Sequence, residues 1–189
     1  MDTQEVLFHY TTGSAFQRIL HNGAIEPDKT EPDNPKELPT VTFSADPDWE
    51  RTRFRVGRLP DGQLVMMNKA LLKQFDGGLY RIVVPKDIAP MDWFEMKNKV
   101  GMSKEARKGI YDFAISVGAH TAHWFGTFER VPEEVWLNVQ KLNDNDEWVD
   151  LTDEDIPEPI AEPNNPVVDI LPEERIIVPV EDTTVTMEA

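Results

Sequence analysis

Residues 7–23 constrain the fold of this chain more than any other segment, because a strand pattern there runs directly into a helix pattern. Residues 7–12, Leu-Phe-His-Tyr-Thr-Thr, read as a short apolar strand that delivers His9 and a hydroxyl cluster to its C-terminal end. The next apolar side chains recur with helical spacing, at Phe16, Ile19 and Leu20. Ser14 is a suitable N-cap for that helix, and Gly23 supplies the left-handed residue that ends it. The pattern predicts that the rest of the chain is a scaffold for a ligand at His9.

Length and composition favour one domain of ordinary size. The chain has 189 residues, enough for a core without disulfides, and no cysteine, which excludes a thiolate nucleophile and a cysteine-ligated zinc site. No apolar run approaches the length of a membrane span, and no charged stretch leads into an apolar run at the N-terminus as in a signal peptide. We therefore expect a soluble, cytoplasmic protein without a membrane partner.

Acidic residues are concentrated towards the C-terminus. The formal net charge is −16, and residues 151–189 hold eleven acidic residues against one base, Arg175. With six prolines and no glycine, this segment lacks the composition of an independently folding unit. We therefore divide the chain into a domain at 1–150 and an acidic, largely disordered tail at 151–189. The apolar island at 176–180 either adds as a strand to a sheet edge, of this chain or of a protein partner, or stays disordered.

Further elements are predicted along residues 1–150. Strands are expected at 40–44, 79–84 and 135–142, the last with a hairpin partner at 147–149. Helices are expected at 68–75 and at 103–117, where Ser103 is the N-cap and Gly118 follows the last turn. The proline-rich, charged residues 27–39 predict a mobile surface loop, and residues 120–128 are aromatic without a regular pattern.

Common catalytic motifs are missing from the sequence, which contains no GxGxxG, Walker loop, GxSxG or HExxH. His120 and His123 have a spacing that could hold a metal ion with Glu129, but we favour packing among the neighbouring aromatic residues and expect no metal site. Four arginines form either a local anion-binding patch or a solvated face, namely Arg51, Arg53, Arg55 and Arg58. The overall charge argues against passive binding of nucleic-acid phosphates.

The order of the first elements resembles the ADP-ribosyltransferase fold. His9 and Tyr10 in the first strand, the helix that follows, and a second strand ending at Ser44 after a variable loop are similar to its diphtheria-toxin-like, His-Tyr-Glu branch. That branch includes DNA-modifying ADP-ribosyltransferase toxins and RNA 2′-phosphotransferases. The resemblance covers about the first 50 residues. It implies an α+β domain in which a split β-sheet core with flanking helices holds NAD in a cleft.

The resemblance also implies roles for particular residues. His9 would bind the adenosine-side ribose of NAD, with Tyr10 and Thr11 beside it. Ser44 would line the nicotinamide pocket. The third motif of the family is an acid at the head of a late strand, which would correspond to Glu134 or Glu133. If that position lies within the strand instead, Gln140 occupies it, and transfer would be weakened or lost.

These observations leave alternative functions open. The first is an NAD-dependent ADP-ribosyltransferase that uses NAD as a substrate and modifies an unknown macromolecular acceptor, either a protein or a nucleic acid. In it, Glu134 is favoured over Glu133 as the acid that stabilises positive charge on the sugar. The second is a non-catalytic module that binds a nucleotide or a protein on the same fold. The third is a domain that only carries an acidic tail mimicking nucleic acid. His9 at a strand end is also compatible with a hydrogen-bonded structural histidine.

Overall fold

The computed structural model describes residues 5–58, 64–74, 77–152 and 156, and within these ranges it leaves out the side chains of residues 55–58, 64 and 65. The described chain is a mixed α+β protein with a mainly antiparallel sheet and few helices. Its strands are β1 (Val6–Thr12), β2 (Ala24–Ile25), β3 (Val41–Ser44), β4 (Arg55–Arg58), β5 (Leu64–Met67), β6 (Leu79–Pro85), β7 (Met91–Asp92), β8 (Trp124–Thr127), β9 (Val131–Pro132), β10 (Asn138–Leu142) and β11 (Trp148–Asp150). Its α-helices are α1 (Gly13–Asn22), α2 (Lys69–Gln74), α3 (Trp93–Lys99) and α4 (Lys104–Val117).

Seven of these strands form one sheet with β1 at its centre. The strand order is β11-β10-β6-β1-β3-β8-β7, with antiparallel neighbours throughout. β1 and β6 are paired along the whole of β1, from Val6 to Thr12. β1 and β3 share only the pair Phe8–Ser44, although both strands continue beyond it. The sheet is therefore continuous, but its four-stranded and three-stranded halves meet at a weak junction.

Alternation along β1 distributes its side chains between two hydrophobic clusters. Phe8 and Tyr10 pack on one face of the sheet with Trp49 and helix α2. Leu7 packs on the other face, where Phe16 of α1 stacks on Tyr80 with ring centroids 4.7 Å apart. A third cluster lies at the β7 end of the sheet beside α3 and α4. Because burial of a large apolar side chain contributes about 1.5–3 kcal/mol, a strand that supplies both faces organises most of the core.

Helix α4 confirms the prediction made for residues 103–117. The Oγ of Ser103 accepts a hydrogen bond from the backbone N–H of Ala106 at 3.0 Å, and Gly118 follows with φ 67°. Such a left-handed residue is favourable only for glycine, so it ends the helix where the sequence predicts. Ile110 and Phe113 on the apolar face of α4 stay half-buried because they line a cavity.

Three segments differ from their predicted boundaries. Helix α1 begins at Gly13, not after Ser14, because Thr11 and Thr12 continue the pairing of β1 with β6. The strand expected at 135–142 begins only at Asn138, after a 3-10 turn, although its hairpin with β11 is formed. Residues 120–128 have no regular sequence pattern but contain β8, because this strand pairs with β3 on one side and β7 on the other.

The loop at 27–39 is anchored, which the prediction of a mobile loop did not anticipate. The side chain of Glu37 is 2% exposed and accepts hydrogen bonds from the backbone N–H groups of Thr30 and Glu31, each at 2.7 Å. Glu31 in turn accepts bonds from the backbone N–H and the hydroxyl of Ser103, both at 2.8 Å. The buried carboxylate of Glu37 therefore holds the loop together, and the half-buried carboxylate of Glu31 ties it to the start of α4.

The tail is almost entirely outside the described residues, including the apolar island at 176–180. Leu151 donates a main-chain hydrogen bond to Val139 at 2.9 Å, so the chain is still bonded to β10 at this residue. None of the helices in the described ranges combines the length and apolar character needed to cross a membrane.

The stacked pair of Phe16 and Tyr80 gives a test of this core. We expect Phe16→Ala to lower the free energy of unfolding by about 3–5 kcal/mol, because it opens a cavity at a fully buried position. Urea denaturation followed by circular dichroism measures the change. Phe94→Ala is the matched control: that ring is 68% exposed, and its loss should change stability by less than about 0.5 kcal/mol. Equal effects of the two substitutions would contradict the described packing.

Candidate functional site

The candidate site lies where β1 and β3 separate. Beyond the pair Phe8–Ser44, the main chains of these strands no longer form a ladder. The side chain of His9 bridges them instead, since its Nδ1 lies 3.0 Å from the backbone oxygen of Thr42. Two cavities open on either side of this bridge. The weak junction of the sheet thus coincides with the histidine that the sequence singles out.

His9 is held in its neutral form. A carbonyl oxygen can only accept a hydrogen bond, so Nδ1 carries the proton and donates it to Thr42. Desolvation of the ring, together with the positive charge of Arg53, lowers the pKa of His9 to about 3, against a small opposing effect of the Thr42 bond. In this tautomer Nε2 is an acceptor, which suits it to receive a hydrogen bond from a ligand hydroxyl.

Arg53 holds β3 from the other side. Its Nη2 donates to the hydroxyl of Thr42 at 2.6 Å and to the backbone oxygen of Thr42 at 3.4 Å. Desolvation lowers the pKa of Arg53, and the nearby negative charge of Glu50 opposes that shift. The guanidinium is therefore a positive charge fixed inside the molecule. Of the four arginines in the predicted patch, Arg51 is exposed, while the side chains of Arg55 and Arg58 lie outside the described residues.

Ser44 takes part in a buried network around Glu50. The Ser44 hydroxyl donates to Oε2 of Glu50 at 2.8 Å. Oε1 of Glu50 accepts from the hydroxyl of Thr52 at 2.8 Å and from its backbone N–H at 3.2 Å. Ser44 and Glu50 are 2% and 6% exposed. Three hydrogen bonds hold the Glu50 carboxyl group in one orientation beside the end of β3.

The two cavities share a wall formed by β3 and the segment after it. The first cavity has a volume of about 390 Å³ and is lined by Ser44, Glu50 and Thr52. The second has a volume of about 430 Å³ and is lined by His9 and the end of β1. Thr42 and Arg53 line both cavities. Each volume lies in the usual range for a small-molecule site.

Each cavity is lined by a buried polar group without a partner among the described residues. Trp124 lines the first cavity, and its indole Nε1–H donates no hydrogen bond. Thr12 lines the second cavity, and its hydroxyl is likewise unpartnered. Buried polar groups are normally satisfied, and leaving one unpaired costs about 1–3 kcal/mol. Both atoms are themselves covered by neighbouring atoms, so these unpaired groups lie behind the surfaces of the two cavities.

Tyr10 and Thr11 stand beside His9 in different roles. The Tyr10 hydroxyl donates to the backbone oxygen of Asp46, and its ring packs against Trp49 and Trp148 with centroids 5.1 and 5.6 Å away. Desolvation raises the pKa of Tyr10. Its first role is therefore to fix the segment that carries Glu50, although it lines both cavities. Thr11 is buried and lines the second cavity.

The residues predicted for the third motif lie elsewhere. Glu133 and Glu134 are exposed on the 3-10 turn before β10 and line none of the described cavities. Gln140 accepts a bond from Nε of Arg81 at 2.7 Å and donates to Asp150 at 2.9 Å. Gln140 projects to the face of the sheet opposite His9, because the partner of His9 in β6, Ile82, is paired with Val139. His9 and Ser44 lie on adjacent strands, but Ser44 is paired with Phe8 and therefore projects to the face opposite His9. The structure brings neither Glu133 nor Glu134 to either of them.

Glu50 is the site residue that the sequence reasoning missed. A signal was present, because Ser44, Glu50 and Thr52 are hydrogen-bonding residues closely spaced after a strand end. Their convergence depends on the turn made by residues 45–49, which no local pattern specifies.

His120 and His123, whose spacing in the sequence could hold a metal ion, lie side by side in the structure. The rings of His120 and His123 are adjacent, with centroids 5.6 Å apart. No group of three or more histidine, cysteine or acidic side chains among the described residues is arranged to hold a metal ion.

The neutral state of His9 predicts a specific pH dependence of stability. The unfolded chain takes up a proton at His9 as the pH falls below 6.5, whereas the folded chain does so only near pH 3. Between these values, protonation of His9 in the unfolded chain lowers the free energy of unfolding by about 1.4 kcal/mol for each unit by which the pH falls. The loss between pH 7 and pH 5 should therefore be about 2 kcal/mol smaller in His9→Gln than in the parent. Urea titrations at both pH values measure this difference. Identical pH dependence of stability in His9→Gln and in the parent would contradict the assignment.

Comparisons with known proteins add no relative to this description. The chain matches no protein-family model, and searches of curated proteins and of solved structures find no match either. The function proposed below therefore depends on the residues and geometry of the site and on the resemblance in residues 7–44.

Proposed function

We propose that the protein is an NAD-dependent ADP-ribosyltransferase-like enzyme in which NAD spans the two cavities. The observation that carries the proposal is the divergence of β1 from β3, which leaves His9 on one side and Ser44 with Glu50 on the other. A sheet that parts at the histidine strand is the arrangement implied by the resemblance to the ADP-ribosyltransferase fold. In this proposal Glu50, and not Glu134, supplies the carboxylate.

The polar groups of the two cavities fit the parts of a dinucleotide. His9 offers an acceptor at Nε2 for a ribose hydroxyl in the second cavity. Arg53 in the shared wall offers a positive charge and donors beyond Nη2 for a pyrophosphate. The first cavity combines the indole of Trp124 with the Ser44–Glu50 pair, which suits an aromatic amide and its ribose.

Glu50 provides the electrostatics that the reaction needs. When the bond between nicotinamide and ribose breaks, the electron pair leaves with nicotinamide and positive charge develops on the sugar. A carboxylate already fixed by Ser44 and Thr52 stabilises that charge without having to reorganise. The ribosyl carbon is then bonded to a nucleophile of the acceptor, which loses a proton. The acceptor is a protein or a nucleic acid.

A second candidate function is a nucleotide-binding module without turnover. It is favoured by the three hydrogen bonds that Glu50 already accepts and by the engagement of Gln140 with Arg81 and Asp150. In that case the cavities bind the ligand through the same residues, but no carboxylate reaches the sugar.

Two paired substitutions separate these functions. We expect Glu50→Gln to lower nicotinamide release from NAD by about 10²–10³-fold while NAD still binds, because the amide keeps the shape of the side chain and removes its charge. His9→Ala should weaken NAD binding, because it removes the acceptor at Nε2. Isothermal titration calorimetry measures binding, and chromatography of released nicotinamide measures turnover.

The chain offers matched controls for both substitutions. Glu134→Gln and His21→Ala change exposed residues outside both cavities and should leave binding and turnover unchanged. Binding that depends on His9 without any nicotinamide release would select the binding module. Absence of both a binding heat and released nicotinamide would refute the use of NAD.

A further inference from the structure

We propose that the groove between α3 and α4 binds single-stranded nucleic acid. This α3–α4 groove has a volume of about 920 Å³ and is the largest of the three cavities described here. Its lining includes Trp93, Phe94, Lys97, Lys104, Arg107 and Tyr111. None of the residues assigned above to NAD binding lines it.

The charge of the α3–α4 groove is opposite to that of the chain. The whole chain has 19 basic and 35 acidic residues. The groove is lined by four basic side chains, the fourth being Lys108, and by one acid, Asp92. The carboxylate of Asp92 accepts a hydrogen bond from the backbone N–H of Glu95, so it serves as the N-cap of α3. A positive strip in an otherwise acidic protein is the arrangement expected for contact with a polyanion.

Lys97 and Lys104 are the basic groups best placed to contact phosphate. Arg107 donates hydrogen bonds to the backbone oxygens of Ser103 and Lys97, and Lys108 pairs with Asp112. Lys104 stands at the first position of α4, and the Nζ of Lys97 lies 4.4 Å from the centroid of the Phe94 ring. Lys97 and Lys104 therefore line the groove from different helices, α3 and α4.

Aromatic side chains in the α3–α4 groove favour a polynucleotide over an acidic peptide. Phe94 is 68% exposed and Tyr111 is 50% exposed, although removal of an aromatic ring from water is favourable. An exposed ring beside a lysine provides the two contacts of a single strand, stacking on the base and attraction of the phosphate. A carboxylate-rich peptide would use the lysines but not the rings.

The α3–α4 groove also adjoins the first cavity. Trp93 lines both of them, and its ring packs edge-on against Trp124 at a centroid distance of 5.1 Å. A strand bound in the groove would pass close to the first cavity. Use of this bound strand as the acceptor for ADP-ribose rests on the proposed function, whereas binding of the strand in the α3–α4 groove does not.

Fluorescence anisotropy with a labelled 20-nucleotide oligo-dT and the full-length protein tests the proposal in the absence of NAD. We expect a dissociation constant of about 10⁻⁶–10⁻⁴ M that weakens as salt is raised. Lys97→Gln combined with Lys104→Gln should weaken binding about tenfold and reduce the slope of log K against log salt by about 1.4. Phe94→Ala and Tyr111→Ala should each weaken binding about fivefold or more, because each removes a stacking contact.

A charge-matched control separates a defined groove from overall charge. Lys69→Gln combined with Lys73→Gln removes two charges from α2, whose lysines do not line the α3–α4 groove, and should leave affinity unchanged. Equal losses in the two double variants would overturn the proposal. It would also be overturned by failure to bind oligo-dT at low salt, by equal or tighter binding of a duplex, or by equal competition from poly-glutamate or a peptide of residues 157–189. Failure of nicotinamide release alone would leave this result intact and would count only against the proposed enzyme.

Discussion

The hydrogen bond from His9 to the backbone oxygen of Thr42 is the interaction on which the site depends. β1 and β3 share one paired position, so the carbonyl of Thr42 lacks the partner that a continuous ladder would provide. The imidazole N–H and the guanidinium of Arg53 take that place. A side-chain donor reaches further than the main-chain N–H of a neighbouring strand. The two strands can therefore part while the backbone oxygen of Thr42 keeps its hydrogen bonds. The cleft is thus a direct consequence of which group bonds to Thr42.

The two charged side chains of this cleft, Glu50 and Arg53, are each hydrogen-bonded to neutral groups and, among the described contacts, not to each other. Glu50 is bonded to Ser44 and Thr52, Arg53 is bonded to Thr42, and the two charges interact without an ion pair in the described contacts. Separated in this way, each group keeps donors or acceptors for a ligand, whereas a direct pair would neutralise both. Positive charge at Arg53 also keeps His9 neutral, because a second cation beside it would be repelled. The neutral state of the histidine therefore depends first on desolvation of its ring and then on an arginine 44 positions away along the chain.

Local signals predicted the elements of this fold better than they predicted its contacts. Ser103 and Gly118 specify α4 because a cap and a left-handed residue act on their own helix. β8 has no such signal, and it is a strand because β3 and β7 pair with it. A Cβ at its Gly126 would lie 2.3 Å from Sδ of Met96, so a larger residue there would displace that side chain. The residues of the site likewise divide into those that a local signal indicates and those that only tertiary contacts place. His9 and Ser44 belong to strands with a clear local pattern and were found, although β1 extends to Thr12 and so places His9 at its middle and not at its end. Glu50 reaches Ser44 only through a turn, and the exposure of Glu134 depends on tertiary placement.

Trp93 is the point at which the cleft and the α3–α4 groove meet. Its ring lines both and contacts Trp124, whose indole N–H has no partner among the described residues. A ligand in the first cavity would contact one side of this aromatic pair, and a base stacked in the groove would contact the other. Any effect of the first ligand on the affinity of the second must be matched by an equal effect in the reverse direction, since coupling free energies are reciprocal. An edge-on pair of rings is suited to such coupling, because a small rotation of either ring changes the space available on both sides.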